Sequence, residues 1–136
     1  MYPAEIVQPM RDELTAVGFI QCNTVESVTT ALGKKGTTLV VVNSVCGCAA
    51  ANARPGTRMS LNNDNNPDQL ITVFAGVDKD ATAEARNQMV PFPPSSPSIA
   101  LFKDGELVHM LERHHIEGRQ AEAIAENLKE AYNSFC

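Results

Sequence analysis

An apolar run that leads straight into two closely spaced cysteines limits the possible folds of this chain more than any other feature. Residues 37–56 read TTLVVVNSVCGCAAANARPG. The run TTLVVVNSV has the length and the β-branched composition of a strand that is buried on both faces. A helix of small residues is predicted to start near Cys48, and Pro55 is expected to kink or stop it. The stretch therefore predicts a strand-to-helix turn that carries Cys46, Gly47 and Cys48.

Length and charge exclude several classes of protein. The 136 residues fit one domain, 1–136, with a single well-packed core. The net charge is −5 and the basic residues form no cluster, which argues against nucleic acid as a partner. No apolar run approaches the roughly 20 residues of a membrane span, and the N-terminus lacks a signal-peptide pattern. We therefore expect a cytoplasmic protein that does not bind membranes.

The rest of the chain alternates between helix and strand patterns. On this pattern Ile6, Met10, Leu14 and Val17 form the apolar face of the first helix. Asp104-Gly105 is a strong signal for the turn of a β-hairpin. The predicted elements are helices within 3–17 and 22–36, a strand at 37–45, a helix from residue 48, a strand at 70–77, a short exposed helix at 78–89, an irregular proline-rich loop at 91–98, a hairpin over 98–113 and an amphipathic helix within 116–135. This order predicts an α/β fold, in which a central mixed β-sheet is flanked by helices on both faces.

Two resemblances to known proteins follow from these segments. PSIALFKDGELV resembles the thioredoxin segment in which a cis-proline opens a strand of a hairpin. Over nearly the whole chain, the sequence resembles the bacilliredoxin family of bacterial thiol–disulfide proteins. That resemblance is carried, in order along the chain, by TTLVVVNSVCGCAAANARP, TVFAGVDKDATA, PPSSPSIALFKDGELVH and ERHHIEGR.

The resemblance implies a thioredoxin-like fold with a Cys-Gly-Cys active site. It makes Cys46 the attacking thiol and Cys48 its resolving partner, with Gly47 between them, and it makes Pro97 the cis-proline, preceded by Ser96. The implied reaction is reduction of mixed disulfides between client proteins and the small thiol bacillithiol, which acts as a co-substrate without any further cofactor. A general thiol–disulfide isomerase is the alternative within the same chemistry.

Elementary chemistry of the turn leads to the same roles. The thiolate is the nucleophile in disulfide exchange, and a helix N-terminus lowers the pKa of a cysteine placed there. We expect Cys46 at that position and Cys48 less exposed behind it. A single residue between the cysteines closes a small ring, so we expect a strained and readily reduced disulfide, with Gly47 supplying unusual backbone angles. Val40 stands where thioredoxins usually keep a buried carboxylate, which argues against a general protein reductase.

Other interpretations of the cysteines and histidines remain open. Cys46 and Cys48 are also compatible with two structural thiols, or with a non-enzymatic module that binds a metal or a partner. Zn²⁺ needs four ligands, and the histidines that would complete such a site lack ligand spacing, so we expect no metal and a solvated histidine face. These histidines are His109, His114 and His115. We expect Cys22 to be buried and inert. We expect Cys136 to be an exposed tail thiol, or else a third redox thiol that can bond Cys46 or a partner chain.

Overall fold

A computed structural model describes residues 2–136 of the chain. Its elements are α1 (Ala4–Thr15), β1 (Ile20–Gln21), α2 (Val25–Leu32), β2 (Thr37–Asn43), a π-helical segment (Ala49–Ala53) that continues into α3 (Arg54–Ser60), β3 (Gln69–Phe74), α4 (Lys79–Asn87), β4 (Ser98–Lys103), β5 (Glu106–Leu111), α5 (Arg113–Ile116) and α6 (Ala121–Phe135). The strands form one mixed sheet in the order β1-β3-β2-β4-β5. Strands β1, β3 and β2 run parallel, and β4 and β5 are antiparallel to their neighbours. The predicted mixed sheet is confirmed.

Strand β2 lies at the centre of the sheet and is buried on both faces, as predicted. Leu39 and Val41 point to one face, where they join a core shared with α1, the π-helical segment and α6. Val40 and Val42 point to the other face, where α2 and α4 cover the sheet. Side chains alternate between the faces of a strand, so one apolar run supplies both cores. The predicted helices on both faces are confirmed.

The first two helices agree with the predicted positions, although the buried face of α1 differs from the predicted one. Ile6 is 48% exposed, whereas Val7 and Leu14 are buried. The prediction that Ile6 lies on the buried face was wrong, because α1 contacts the core along a narrow stripe that includes Val7 and Leu14 but not Ile6. Helix α2 is capped by Thr24, whose side chain accepts a hydrogen bond from the Ser27 N–H at 3.1 Å.

Two details of the middle helices differ from the prediction. Pro55 does not stop its helix, because the helical turns continue from the π-helical segment through Pro55 to Ser60. The π-helical segment ends two residues before the proline, so the hydrogen-bond pattern is already irregular there. Helix α4 is not simply exposed: Ala81, Thr82 and Ala85 are buried against the sheet.

The hairpin and the terminal helix are confirmed. Asp104 and Gly105 both have positive φ, 52° and 82°, which is the backbone of a type I′ turn. Two elements were not predicted. Strand β1 has two residues, and α5 begins at Arg113, inside the run that was predicted as strand. Across residues 2–136, the helices are all too short or too polar to cross a membrane.

Candidate active site at the Cys46-Gly47-Cys48 turn

The two cysteines lie where β2 ends and the helical segment begins. The Cys46 carbonyl accepts hydrogen bonds from the N–H groups of Ala49 and Ala50, at 3.0 and 3.2 Å, so Cys46 opens the first helical turn. Both Cys46 and Cys48 are free thiols and partly exposed. The predicted position of Cys46 at a helix N-terminus is therefore confirmed.

The pKa of the Cys46 thiol is lower than that of an ordinary cysteine. Partial burial opposes the charged form, but the thiol of Cys48, the N–H of Ala49, the hydroxyl of Ser44 and the N–H of Cys48 all bond the sulfur, and together they lower the pKa of Cys46. The Ser44 hydroxyl also accepts the Cys46 N–H at 3.2 Å. One hydroxyl can accept from the backbone and donate to the sulfur at once.

The second thiol shifts in the opposite direction. Burial raises the pKa of Cys48, and its hydrogen bond and charge interaction with Cys46 raise it further, while Arg113 opposes the change. Two neighbouring thiols cannot both ionise easily, so the first proton lost from the pair comes from Cys46. Cys46 is therefore the thiol of this pair that ionises more easily.

The prediction for Gly47 concerns the closed Cys46–Cys48 disulfide, whereas the structure describes the dithiol. The φ of Gly47 is outside the left-handed region, and a Cβ placed there would meet no described atom within 4 Å. The dithiol state therefore does not need unusual backbone angles at this position. Gly47 is exposed and leaves the approach to the two sulfur atoms open.

The proline-rich loop meets the turn from the side of β4. The Ser96–Pro97 peptide is cis, as the resemblance implies. Ser98 pairs with Val42 in the sheet, which places Ser96 and Pro97 beside the end of β2. Pro97 is buried and Ser96 is partly exposed, so the loop forms one wall of the site.

Arg113 is a part of the site that the sequence did not reveal. Its guanidinium donates to the Ser96 carbonyl at 3.2 Å and to a carboxylate oxygen of Glu117 at 3.0 Å. The paired Glu117, followed by the charges of Cys48 and Cys46, raises the pKa of Arg113. The local sequence predicts Arg113 as the last residue of a strand. Its position at the site follows from the end of β5 at Leu111, which the sequence did not reveal.

The histidines do not gather at the thiols. His114 and His115 cluster with Glu112, with potential ligand atoms within 4.8 Å of one another. His115 Nδ1 already accepts the Glu112 N–H at 3.0 Å, and His109 bonds Asn127 on α6 instead. Within residues 2–136, no histidine or carboxylate joins the cysteine pair in such a cluster, so the turn offers a metal two thiolates. His114 is highly exposed, in line with a solvated face.

The other two cysteines lie away from the turn. Cys22 is 2% exposed and belongs to the core on the α2 side, as expected. Cys136 is exposed and lies near Thr37, at the opposite end of β2 from Cys46. Seven strand residues separate these ends, about 20 Å, so a bond between Cys136 and Cys46 within one chain is out of reach.

Comparison with known proteins identifies the family. Residues 2–136 match a family model described as disulphide isomerase. A bacilliredoxin of Cytophaga hutchinsonii is 56% identical over 135 residues, covering 99% of this chain and 100% of that protein. A bacilliredoxin of Halalkalibacterium halodurans is 53% identical over 136 residues, covering 99% and 94%. The chain belongs to the bacilliredoxin family. This bacilliredoxin-family chain is therefore a thiol–disulfide oxidoreductase.

Solved structures confirm the fold of this family member. A thioredoxin of Entamoeba histolytica aligns with a TM-score of 0.58 at 14% identity, covering 84% of this chain and 99% of that one. Mitochondrial thioredoxin 3 from Saccharomyces cerevisiae aligns with a TM-score of 0.57 at 11% identity, covering 86% and 95%. The architecture is thioredoxin-like.

Proposed function

We propose that the protein reduces mixed disulfides between client proteins and the small thiol bacillithiol, with Cys46 as nucleophile and Cys48 as resolving thiol. The observation that carries this proposal is the opposite pKa shift of two thiols in one open turn. Nucleophilic attack needs a thiolate, and resolution needs a second thiol that stays protonated until the first has reacted.

In the first step the Cys46 thiolate attacks the bacillithiol sulfur of the mixed disulfide. A new S–S bond joins Cys46 to bacillithiol, while the client cysteine leaves as a thiolate and takes a proton from water. The hydrogen bonds that stabilise the Cys46 thiolate also favour its release in the next step, because a low-pKa thiol is a good leaving group.

In the second step the cap is removed from Cys46. Cys48 loses its proton, attacks the Cys46 sulfur and expels bacillithiol as a thiolate, which leaves a Cys46–Cys48 disulfide. Two reduced bacillithiol molecules, or one dithiol, then return that disulfide to the dithiol and leave as a disulfide. Alternatively, a second bacillithiol attacks the cap directly and leaves as the bacillithiol disulfide. Both routes balance, since each disulfide broken is matched by one formed.

Two neighbours of the turn support binding of a capped client. The backbone of Ser96, before Pro97, lies where an incoming extended chain can pair with it, as in strand addition. Arg113 sets a cation beside both sulfur atoms, where it favours developing thiolate charge and can pair with an anionic group of the incoming molecule.

Disulfide isomerisation is the second candidate, favoured by the one-residue spacing. A strained Cys46–Cys48 disulfide is easily reduced, so its potential should be more oxidising than that of thioredoxin. Val40 is buried and apolar, so the carboxylate that thioredoxins usually keep at this position has no counterpart in this strand. A potential as reducing as that of thioredoxin contradicts this argument.

The deciding experiment offers a bacillithiol-capped protein to the wild type and to Cys46→Ser, Cys48→Ser and Cys136→Ser. We expect no release of the cap by Cys46→Ser, a bacillithiol adduct on Cys46 in Cys48→Ser, and wild-type turnover in Cys136→Ser. Activity in Cys46→Ser contradicts the assigned roles. Stoichiometric zinc or copper in the purified protein, with thiols that do not react, favours a metal-binding module instead.

A further inference from the structure

A buried arginine lies directly beneath the cysteine turn. Arg54 is 2% exposed and is the largest fully buried side chain among the described residues. It is the first residue of α3, and the π-helical segment joins it to the cysteines. A buried guanidinium is costly unless hydrogen bonds and a counter-charge compensate it. The contacts of Arg54 therefore show which groups compensate its buried charge.

The contacts of Arg54 all lead toward the turn or to α1. Nη1 donates to Asn43 Oδ1 at 3.0 Å and to the Ser44 carbonyl at 2.8 Å. Nε lies 3.1 Å from a carboxylate oxygen of Glu13 on α1, so the two side chains form an ion pair. The Nε–H is not aligned for a hydrogen bond to any described residue. Glu13 is partly exposed, so its carboxylate keeps contact with water.

Asn43 extends the same network. It is 1% exposed, and its Oδ1 accepts the Ser44 N–H at 2.8 Å as well as the Arg54 bond. Its Nδ2 donates to the Met10 carbonyl at 3.2 Å, which ties it to α1. Arg54 therefore fixes the backbone of Ser44 in two ways. It bonds the Ser44 carbonyl directly, and it bonds Asn43, which accepts the Ser44 N–H.

Ser44 passes this constraint to the reactive sulfur. Its hydroxyl accepts the Cys46 N–H at 3.2 Å, and the same hydroxyl contributes to the lowered pKa of Cys46. Arg54 itself makes no hydrogen bond to Cys46 among the described contacts, and the contacts that connect the two residues run through residues 43–46.

We propose that Arg54 is a positioning residue for Cys46: its hydrogen bonds to Asn43 and Ser44 hold the Ser44 hydroxyl at the backbone N–H of the attacking cysteine. The inference rests on the proposed role of Cys46 as nucleophile, and it deepens that role by naming what holds the site in its reactive form. The planar fork of arginine suits this position, because one guanidinium bonds two oxygens and faces a carboxylate at the same time.

The test compares Arg54→Met, Ser44→Ala and the double variant in the reduced full-length protein. The measurement is the rate of iodoacetamide alkylation of Cys46 against pH, resolved from the other cysteines by peptide mass spectrometry. No substrate is required, so the result does not depend on bacillithiol chemistry. Arg58→Met is the matched control, since Arg58 lies on the same helix but is exposed.

We expect Arg54→Met and Ser44→Ala each to move the Cys46 profile to higher pH, with alkylation at pH 7 roughly three- to tenfold slower. The double variant should be no slower than the slower single variant, because both changes break one pathway. Arg58→Met should match the wild type. Cys48 and Arg113, the titratable groups that face Cys46, are unchanged in all four variants.

Two results overturn the inference: an unchanged Cys46 profile in folded Arg54→Met, or additive effects in the double variant. If circular dichroism shows that Arg54→Met is unfolded, Arg54→Lys decides, since it keeps the charge but lacks the fork. Its profile should lie between those of the wild type and Ser44→Ala, and a wild-type profile refutes the positioning role. If instead Cys46→Ser still removes the cap from a client, the proposed function fails, whatever the Arg54 result.

Discussion

Cys46 and Cys22 occupy the same local position in two regions of the molecule, yet they have opposite chemistry. Each follows a strand and precedes a helix. Cys22 is 2% exposed, and burial raises its pKa despite a hydrogen bond from Ser27. Hydrogen bonds lower the pKa of the partly exposed Cys46. A strand-to-helix junction therefore does not activate a cysteine by itself.

Burial and the supply of hydrogen-bond donors make the difference. The first turn of α2 is already capped by Thr24 and Ser27, and β1 places Cys22 in the core. At the second junction the backbone N–H of Ala49 and the hydroxyl of Ser44 contribute to the lowered pKa of Cys46, and Gly47 leaves space beside the turn.

The largest expected effect is in reactivity. At pH 7, Cys46 in the native protein should alkylate more than ~100-fold faster than Cys22, because Cys46 is partly exposed with a lowered pKa and Cys22 is buried with a raised one. The Cys46 rate should level off below the ordinary thiol pKa as pH rises, whereas Cys22 should stay slow through that range. Mass-resolved alkylation of the two peptides measures both, and equal rates contradict the comparison.

Replacement of Cys22 should lower the stability of the protein more than replacement of Cys46. Cys22→Ser places a hydroxyl in the core and should lower the free energy of unfolding by about 1–3 kcal/mol. Cys46→Ser, at a partly exposed position, should change it by less than about 1 kcal/mol. Urea unfolding of the two reduced variants is the measurement. A more stable Cys22→Ser protein shows that the site is not apolar.

Arg113 should have a smaller effect, confined to the turn. Since Arg113 opposes the raised pKa of Cys48, Arg113→Ala should raise that pKa further and slow attack by Cys48 on the cap. At pH 7 we expect a roughly two- to threefold slower release of bacillithiol from Cys46, because an exposed charge is screened by solvent. Stopped-flow single turnover checks this. Arg119→Ala is the control, and a salt-independent effect contradicts a charge mechanism.

The smallest effect is expected for Gly47→Ala. Since the backbone there is compatible with alanine and the Cβ meets open space, the reduced protein should gain roughly 0.5 kcal/mol in the free energy of unfolding. Thermal unfolding of the reduced protein tests this. A loss of stability limited to the oxidised form shows that the closed disulfide, and not the dithiol, needs glycine.

The sequence by itself determined the elements whose patterns are local. The run TTLVVVNSV is apolar along its whole length, so it predicted a strand buried on both faces without any knowledge of its neighbours. Asp104-Gly105 fixed the hairpin turn, because few other residues adopt positive φ at both central positions. The Cys-Gly-Cys position at a helix start followed from the same local patterns.

Only the tertiary structure decided which groups surround Cys46. Ser44 and Asn43 are polar residues at a strand end, Arg54 lies in a segment of small residues, and Arg113 was read as part of a strand. Their roles depend on contacts between residues far apart in the chain, such as Arg113 with Ser96 and Asn43 with Met10. Helical and strand periodicity report which face of an element is apolar, but not which polar side chains meet when the elements pack.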